Sequence, residues 1–236
     1  MVDESVRKRT EPAGQGATMS TGKTLESERE SISELCKRML DQGLTTGTGG
    51  NISAGNGEDV MAISPTGMAY PDITPADVPV LDGDGEVVAG DREPSSEHRM
   101  HRMLHEGRGD VGGVVHTHSP YASAFASAGE PIPASHYLIA FAGKQVPVAD
   151  YATYGTAELG ELAAETIGEA YDACLLRNHG VITVGETVDA AYETALMVEY
   201  CARNHYIASS IGDPIVLDDD ELEHLQERFA DYGQSE

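Results

Sequence analysis

Residues 111–118 read VGGVVHTH. The apolar run reads as a buried strand, and it ends in two imidazoles two positions apart. Side chains at i and i+2 of a strand share one face, so His116 and His118 point the same way. An imidazole on a buried strand is costly unless it is partnered. Two side by side call for an explanation, and a shared divalent ion supplies one. A third candidate, His179, follows the apolar segment 173–177 and precedes Gly180, a residue that lets the chain turn tightly and re-aim. Taken singly, an HxH pair or a histidine after a strand is more often structural. The three together favour a metal site, and three protein nitrogens with an open position are the arrangement of a catalytic zinc.

The rest of the chain indicates how such a site is framed. Ser27 and Glu30 have the spacing of a capping box, followed by Ile32, Leu35, Cys36, Met39 and Leu40 on one helical face, with Gly43 ending the run. A glycine-rich turn, 47–51, leads into short strand-like pieces at 51–53, 60–64 and 87–89, with loop material at 71–85. Helices are expected from 94–97 to about 106, then over 121–128, 156–170, 188–210 and 221–232. Strands are expected at 111–118, 173–177 and 180–184, and short or strand-like pieces at 137–142 and 145–149. Strands and helices mix without regular βαβ alternation. The expected fold is therefore α/β, a single domain over residues 23–236 with a central, mostly antiparallel sheet flanked by helices. Residues 1–22 carry almost no large apolar side chains and are expected to form a disordered tail. They also lack the apolar core of a signal peptide. No run approaches the roughly 20 apolar residues of a membrane span. Cys36, Cys174 and Cys201 are odd in number and far apart, which fits buried thiols in a reducing cytoplasm better than a disulfide framework.

Charge narrows the partners. Forty acidic residues against fifteen basic ones give a net charge of −25. Nucleic acid is excluded as a partner, since a phosphate backbone needs a basic surface. The acids are spread along the chain, a pattern that suits a high-salt cytoplasm and a halophilic source. A phosphate bound by such a protein is best held by neutral donors. Three turns with small polar side chains offer backbone N–H groups for this: Thr48 to Asn51, Ser64 to Gly67, and Ser95-Ser96. None contains a P-loop lysine, so a nucleoside triphosphate is disfavoured. Glu97 follows the last of these turns, in the first turn of its helix. It is either a carboxylate favoured by the helix dipole or one that holds the metal and moves a proton beside it. His98, His101 and His105, three and four apart on that helix, read as surface or packing residues.

In this order, GTGGNIS (47–53), ISPTG (63–67), EPSSEHRMH (93–101), GVVHTHSPYA (113–122) and LLRNHG (175–180) resemble the class II aldolase and sugar-phosphate epimerase family, over roughly residues 25–233. IPASHYLIAFAG (132–143), YATYGTAELGE (151–161) and ERFADYG (227–233) look like its L-fuculose 1-phosphate aldolase branch. The resemblance implies zinc, or another divalent transition metal, on His116, His118 and His179. It implies Glu97 as a ligand in the resting site and as the acid/base at the carbon that is cleaved. Thr48, Asn51, Thr66, Gly67, Ser95 and Ser96 would receive the phosphate of a small sugar substrate, and Tyr137 would line the aldehyde end. Tyr232 would reach a neighbouring subunit's site and protonate the aldehyde oxygen, in a homotetramer with sites at subunit interfaces. Phe229 and Tyr154 match aromatics near that end, Tyr154 standing where the branch has phenylalanine. The implied reaction is retro-aldol cleavage of L-fuculose 1-phosphate to dihydroxyacetone phosphate and lactaldehyde. Alternatives within the family are an L-ribulose 5-phosphate 4-epimerase, which usually carries aspartate where this chain has Glu97, and a methylthioribulose 1-phosphate dehydratase. A non-enzymatic module like the adducin head would lack the three histidines.

Overall fold

The structure, a computed structural model, describes residues 24–55 and 60–230. Its centre is one eight-stranded sheet, in the order β4-β3-β2-β1-β5-β8-β7-β6. The strands are β1 (Asn51–Gly55), β2 (Met61–Ile63), β3 (Val80–Leu81), β4 (Val87–Ala89), β5 (Gly113–Thr117), β6 (Val148–Ala149), β7 (Ala173–Leu176) and β8 (Gly180–Gly185). Every neighbouring pair is antiparallel except β6 with β7. The helices are α1 (Glu26–Asp41), α2 (His98–Gly107), α3 (Pro120–Ala128), α4 (Ala157–Ile167), α5 (Val188–Ser209) and α6 (Asp219–Ala230). A mixed sheet covered by helices is the arrangement expected from the pattern of elements.

The alternation of β5 decides which side the site occupies. Val115 packs with Ile52, with Ile32, Leu35 and Met39 of α1, and with Ala191 and Tyr192 of α5. Val114 packs on the opposite face with Met100 and Leu104 of α2 and Leu159 and Ala163 of α4. His116 has the parity of Val114, so it faces the α2 side, where that helix begins. The centre of the sheet is anchored by Gly113: a Cβ there would lie 2.3 Å from the Cα of Val188, so only glycine lets the start of α5 sit against β5. A third cluster, between α3, α5 and β7, takes in Leu222 of α6. All three cysteines are buried and free, and burial pushes the thiols of Cys36 and Cys201 up to about 12.

Several local expectations change. Ser27 is inside α1, not its cap. Leu25 occupies the cap position in a left-handed conformation (φ 45°) with no side-chain cap bond, because its side chain is drawn into the core at 3 % exposure. Residues 137–141 form a 3-10 turn and not a strand, and the loop expected at 71–85 contains β3. Glu97 is the N-cap of α2 and precedes its first turn. α4 ends at Ile167 and α6 begins at Asp219. Side-chain caps form at three of the helices: Thr156 accepts from the N–H of Leu159, Thr187 from that of Ala190 and Asp218 from that of Glu221. The expected tail, 1–22, and Tyr232 lie outside the described residues. Among the described residues, no helix is long and apolar enough to cross a membrane.

Candidate metal centre

His116 is completely buried near the end of β5. Its Nδ1–H donates to the Val181 carbonyl of β8 at 2.9 Å, which leaves the lone pair of Nε2 directed into the site. His118 Nε2 lies 3.0 Å from it, a spacing at which two lone pairs repel unless a proton or a cation lies between them. His179 comes from the tight β7–β8 connection, where Asn178 adopts the left-handed conformation (φ 56°). Gly180 lets that turn close on β5, since a Cβ there would meet the Thr117 carbonyl at 2.4 Å. The three rings have centroids 4.7 to 5.1 Å apart, and one ligand atom from each falls within 4.8 Å of the others. Burial, then the neighbouring His179 and His118, hold His116 well below the usual histidine range. Burial and His179 also lower His118. Such rings are neutral at pH 7, the form that ligates a metal.

Glu97 completes the cluster. Its Oε2 accepts a 2.9 Å hydrogen bond from Asn51 Nδ2 and lies 3.4 Å from His116 Nε2. Its Oε1 lies 3.6 Å from His179 Nε2 and, among the described residues, has no hydrogen-bond partner although it is buried. A buried carboxylate oxygen with no donor is costly. Set among three imidazole nitrogens, it fits a divalent cation: the donor set is three nitrogens and one anionic oxygen, which zinc accepts.

Behind Glu97 runs a chain of polar contacts in which His101 and His105, expected as surface or packing residues, are packed and hydrogen-bonded. His101 is fully buried, with Nε2 against Asn51 Oδ1 and Nδ1 2.7 Å from Ser53 Oγ. Ser53 Oγ also lies 2.9 Å from His105 Nε2, whose ring reaches the Val111 carbonyl through Nδ1 at 3.2 Å. His98, half-buried like His105, stands outside this chain of contacts, its Nδ1 on the Ser95 carbonyl at 2.9 Å. The signal was present in the spacing: Glu97, His101 and His105 are four apart on one helical face, and Asn51 and Ser53 are two apart on one face of β1.

The cluster lies in a cleft of about 340 Å³ lined by Thr48, Asn51, Thr66, Gly67, Ser95 and Ser96, together with Glu97, His118 and His179. The three polar turns expected to receive phosphate therefore meet at one place. Among the described residues no lysine or arginine lines the cleft, so an anion there meets their N–H and hydroxyl groups. The glycine turn is tied from beneath by Tyr70, whose hydroxyl reaches the carbonyls of Gly49 and Gly50 at 2.7 Å each. Two residues depart from expectation. Tyr137 does not line this cleft; it is 49 % exposed, on the 3-10 turn, with its ring 6.1 Å from that of Phe229. Tyr151, which was not singled out, lines the rim beside Tyr154. The motif YATY (151–154) carries both.

A helix-flanked, mostly antiparallel sheet with three convergent imidazoles, a carboxylate and a neutral anion cleft describes a metal-dependent α/β enzyme domain. The chain belongs to the family described as Class II Aldolase and Adducin N-terminal domain, which matches residues 30–206. It is 46 % identical over 211 residues to a 5-deoxy-D-ribulose 1-phosphate aldolase of Bacillus thuringiensis serovar kurstaki, covering 89 % of this chain and 99 % of that one. It is 40 % identical over 206 residues to a 5-methylthioribulose-1-phosphate/5-deoxyribulose-1-phosphate aldolase of Rhodospirillum rubrum, covering 87 % and 92 %. Among solved structures, an L-fuculose 1-phosphate aldolase superposes with a TM-score of 0.86 at 40 % identity, over 89 % of this chain and all of that one. The homologues are class II aldolases, which are metal-dependent aldehyde-lyases acting on sugar phosphates. The resemblance stated from the motifs is thereby borne out.

Proposed function

We propose that this chain is a zinc-dependent aldolase that cleaves a short ketose 1-phosphate to dihydroxyacetone phosphate and a small aldehyde. The observation that carries this is the meeting of His116, His118, His179 and the donorless Oε1 of Glu97 in a cleft lined by neutral donors. 5-Deoxyribulose 1-phosphate, which would release acetaldehyde, is the favoured substrate, because the relative at 46 % identity is named for it. L-Fuculose 1-phosphate is the second reading, favoured by the branch motifs and by the solved structure at 40 % identity. Both share the dihydroxyacetone phosphate half, and so the same demands on the site.

The residues take these roles. Thr48, Asn51, Thr66, Gly67, Ser95 and Ser96 hold the phosphate through N–H, amide and hydroxyl donors. His116, His118, His179 and Glu97 would hold the metal, and the chemistry a bound zinc supplies is Lewis-acid stabilisation of the negative charge that develops on the ketose oxygens. During cleavage the C4 hydroxyl loses its proton, its oxygen becomes the aldehyde carbonyl, and the C3–C4 electron pair passes to C3. Glu97, in its protonated form, delivers a proton to that carbon and is restored by the proton released from the C4 hydroxyl, so none is gained or lost overall, and its burial keeps the transfer away from bulk water. In the joining direction the same carboxylate takes that proton back. Tyr232 of an adjoining subunit would handle the proton at the aldehyde oxygen, and Tyr137 would act at the same subunit boundary. A homotetramer is supported by the exposed apolar side chains Tyr200, Tyr206, Ile207 and Ile211 at and after the end of α5. The catalytic unit in this reading is residues 23–236, and a reducing cytoplasm is supported by the three free, buried thiols.

Incubation with 5-deoxyribulose 1-phosphate, L-fuculose 1-phosphate and L-ribulose 5-phosphate, with detection of dihydroxyacetone phosphate, tests the proposal. Release from the first two and none from the third is expected. Epimerisation of the third without release from the others would replace the aldolase by an isomerase.

A further inference from the structure

We propose that His101 is a positioning residue for Glu97, acting through the side-chain amide of Asn51 and anchored by Ser53. The inference rests on the reading of Glu97 as metal ligand and proton carrier.

The carboxamide of Asn51 has a donor end and an acceptor end of nearly the same shape. Turned by 180°, it would set Oδ1 against Glu97 Oε2, and the one hydrogen bond that this oxygen receives would become a repulsion. The carboxylate already favours the amide end, and a donor on the Oδ1 side adds to that preference and fixes the plane of the amide. In this chain Oδ1 faces His101 Nε2. A carbonyl oxygen only accepts, so that nitrogen carries a hydrogen and donates. The other ring nitrogen lies 2.7 Å from Ser53 Oγ, which is completely buried in β1 and whose single hydroxyl hydrogen is shared between His101 and His105. The ring is thus held at both ends with no exposure to solvent. Asn51 and Ser53 stand two apart on β1, and Glu97 and His101 four apart at the start of α2, so two rigid elements meet through one closed set of contacts. The carboxylate and its support sit on the same helix, and the backbone N–H of His101 also donates to the Glu97 carbonyl at 3.4 Å. A histidine that merely filled space would not need both nitrogens matched to polar partners, and partners behind a ligating group commonly set its orientation.

Co²⁺ taken up by the metal-stripped protein gives a d–d absorption spectrum that reports the ligand set without turnover. Spectrum, kcat and KM are compared for the wild type, Glu97→Gln, His101→Leu, His101→Gln and Ser53→Ala, with thermal unfolding as the check on folding. Glutamine places an N–H close to the position of imidazole Nε2; leucine places none. His101→Leu is expected to move the cobalt spectrum toward that of Glu97→Gln and to lower kcat by about 10–100-fold with little change in KM, and His101→Gln to recover most of the loss. An unchanged spectrum and kcat in His101→Leu, or His101→Gln as impaired as His101→Leu, would overturn the positioning role. A wild type that takes up no cobalt, or a Glu97→Gln spectrum identical to wild type, would overturn the reading of the site itself and the proposal with it. Should His101→Leu not fold, Ser53→Ala decides: a lowered kcat at constant KM supports the proposal, and wild-type values sink it.

Discussion

Glu97 Oε1 lies 3.6 Å from His179 Nε2 and receives no hydrogen bond. A strand–helix junction and a hairpin turn, more than 80 residues apart in the chain, are brought together so that a carboxylate oxygen without a donor among the described residues faces the histidine cluster. Divalent metal should therefore be a stabilising ligand of the folded chain. At a free zinc concentration near 100 times the dissociation constant, a single site adds about 3 kcal/mol. The midpoint of thermal unfolding is expected to rise with zinc and fall with a chelator in the wild type. In His116→Ala it should be unresponsive to zinc, with activity lost. A zinc-dependent midpoint in that variant would contradict the assignment.

Glu97→Gln keeps the shape of the side chain, and the Gln oxygen can still accept from Asn51 Nδ2. The fold is expected to survive, with kcat lower by roughly 10²–10⁴ for loss of a positioned acid/base. The KM for the ketose phosphate should change little, since the phosphate donors are on other residues. Turnover within a few-fold of wild type would remove Glu97 from the chemistry.

What could be read in advance followed from periodicity. A two-residue repeat put His116 and His118 on one face, and the three small-residue turns line one cleft beside them. Two things escaped. The α2 histidines read as surface or packing residues with no partner named, because a helix sequence does not say which neighbour it meets; the partner Ser53 is 48 residues from His101 and is brought there by the sheet. Tyr137 lies outside the cleft of its own chain, and a role at a subunit boundary depends on contacts that local pattern does not encode.

His105 gives a pH signature. Burial pushes its pKa down to about 4, opposed in part by the Val111 carbonyl. A histidine in the unfolded chain titrates near 6.5. The unfolded state therefore binds the proton first, and stability declines as the pH falls below about 6.5, until the folded ring also titrates near 4. By pH 5 this one residue should cost about 2 kcal/mol. Urea midpoints of the chelator-treated wild type and His105→Gln, compared at pH 7.5 and pH 5, isolate the effect, since the other buried histidines are common to both. The wild type is expected to lose more stability on acidification; parallel losses would show that His105 is already protonated in the folded state.

The charge of −25 acts on both stability and catalysis. Few cations offset the acids locally: Lys144 is shared between Asp219 and Glu223, and the start of α6 is Asp219, Asp220 and Glu221. Exposed pairs of this kind contribute little, so repulsion between the unpaired acids dominates at low ionic strength. Raising salt from about 0.1 M to 1 M shortens the screening length from roughly 10 Å to 3 Å, and the unfolding midpoint should climb over that range. The same field acts on a dianionic substrate approaching a cleft without lysine or arginine. Its entry is opposed by the protein as a whole, in contrast to enzymes whose basic surfaces draw phosphates in. The KM for a ketose 1-phosphate should therefore fall as salt rises, while kcat, set by His116, Glu97 and their buried neighbours, stays nearly constant. Unfolding midpoints and KM measured across one salt series test both consequences. A midpoint that is flat or falls with potassium chloride would remove the salt-adapted reading of the surface, and a KM that rises would place an attractive charge at the cleft that the lining residues do not contain.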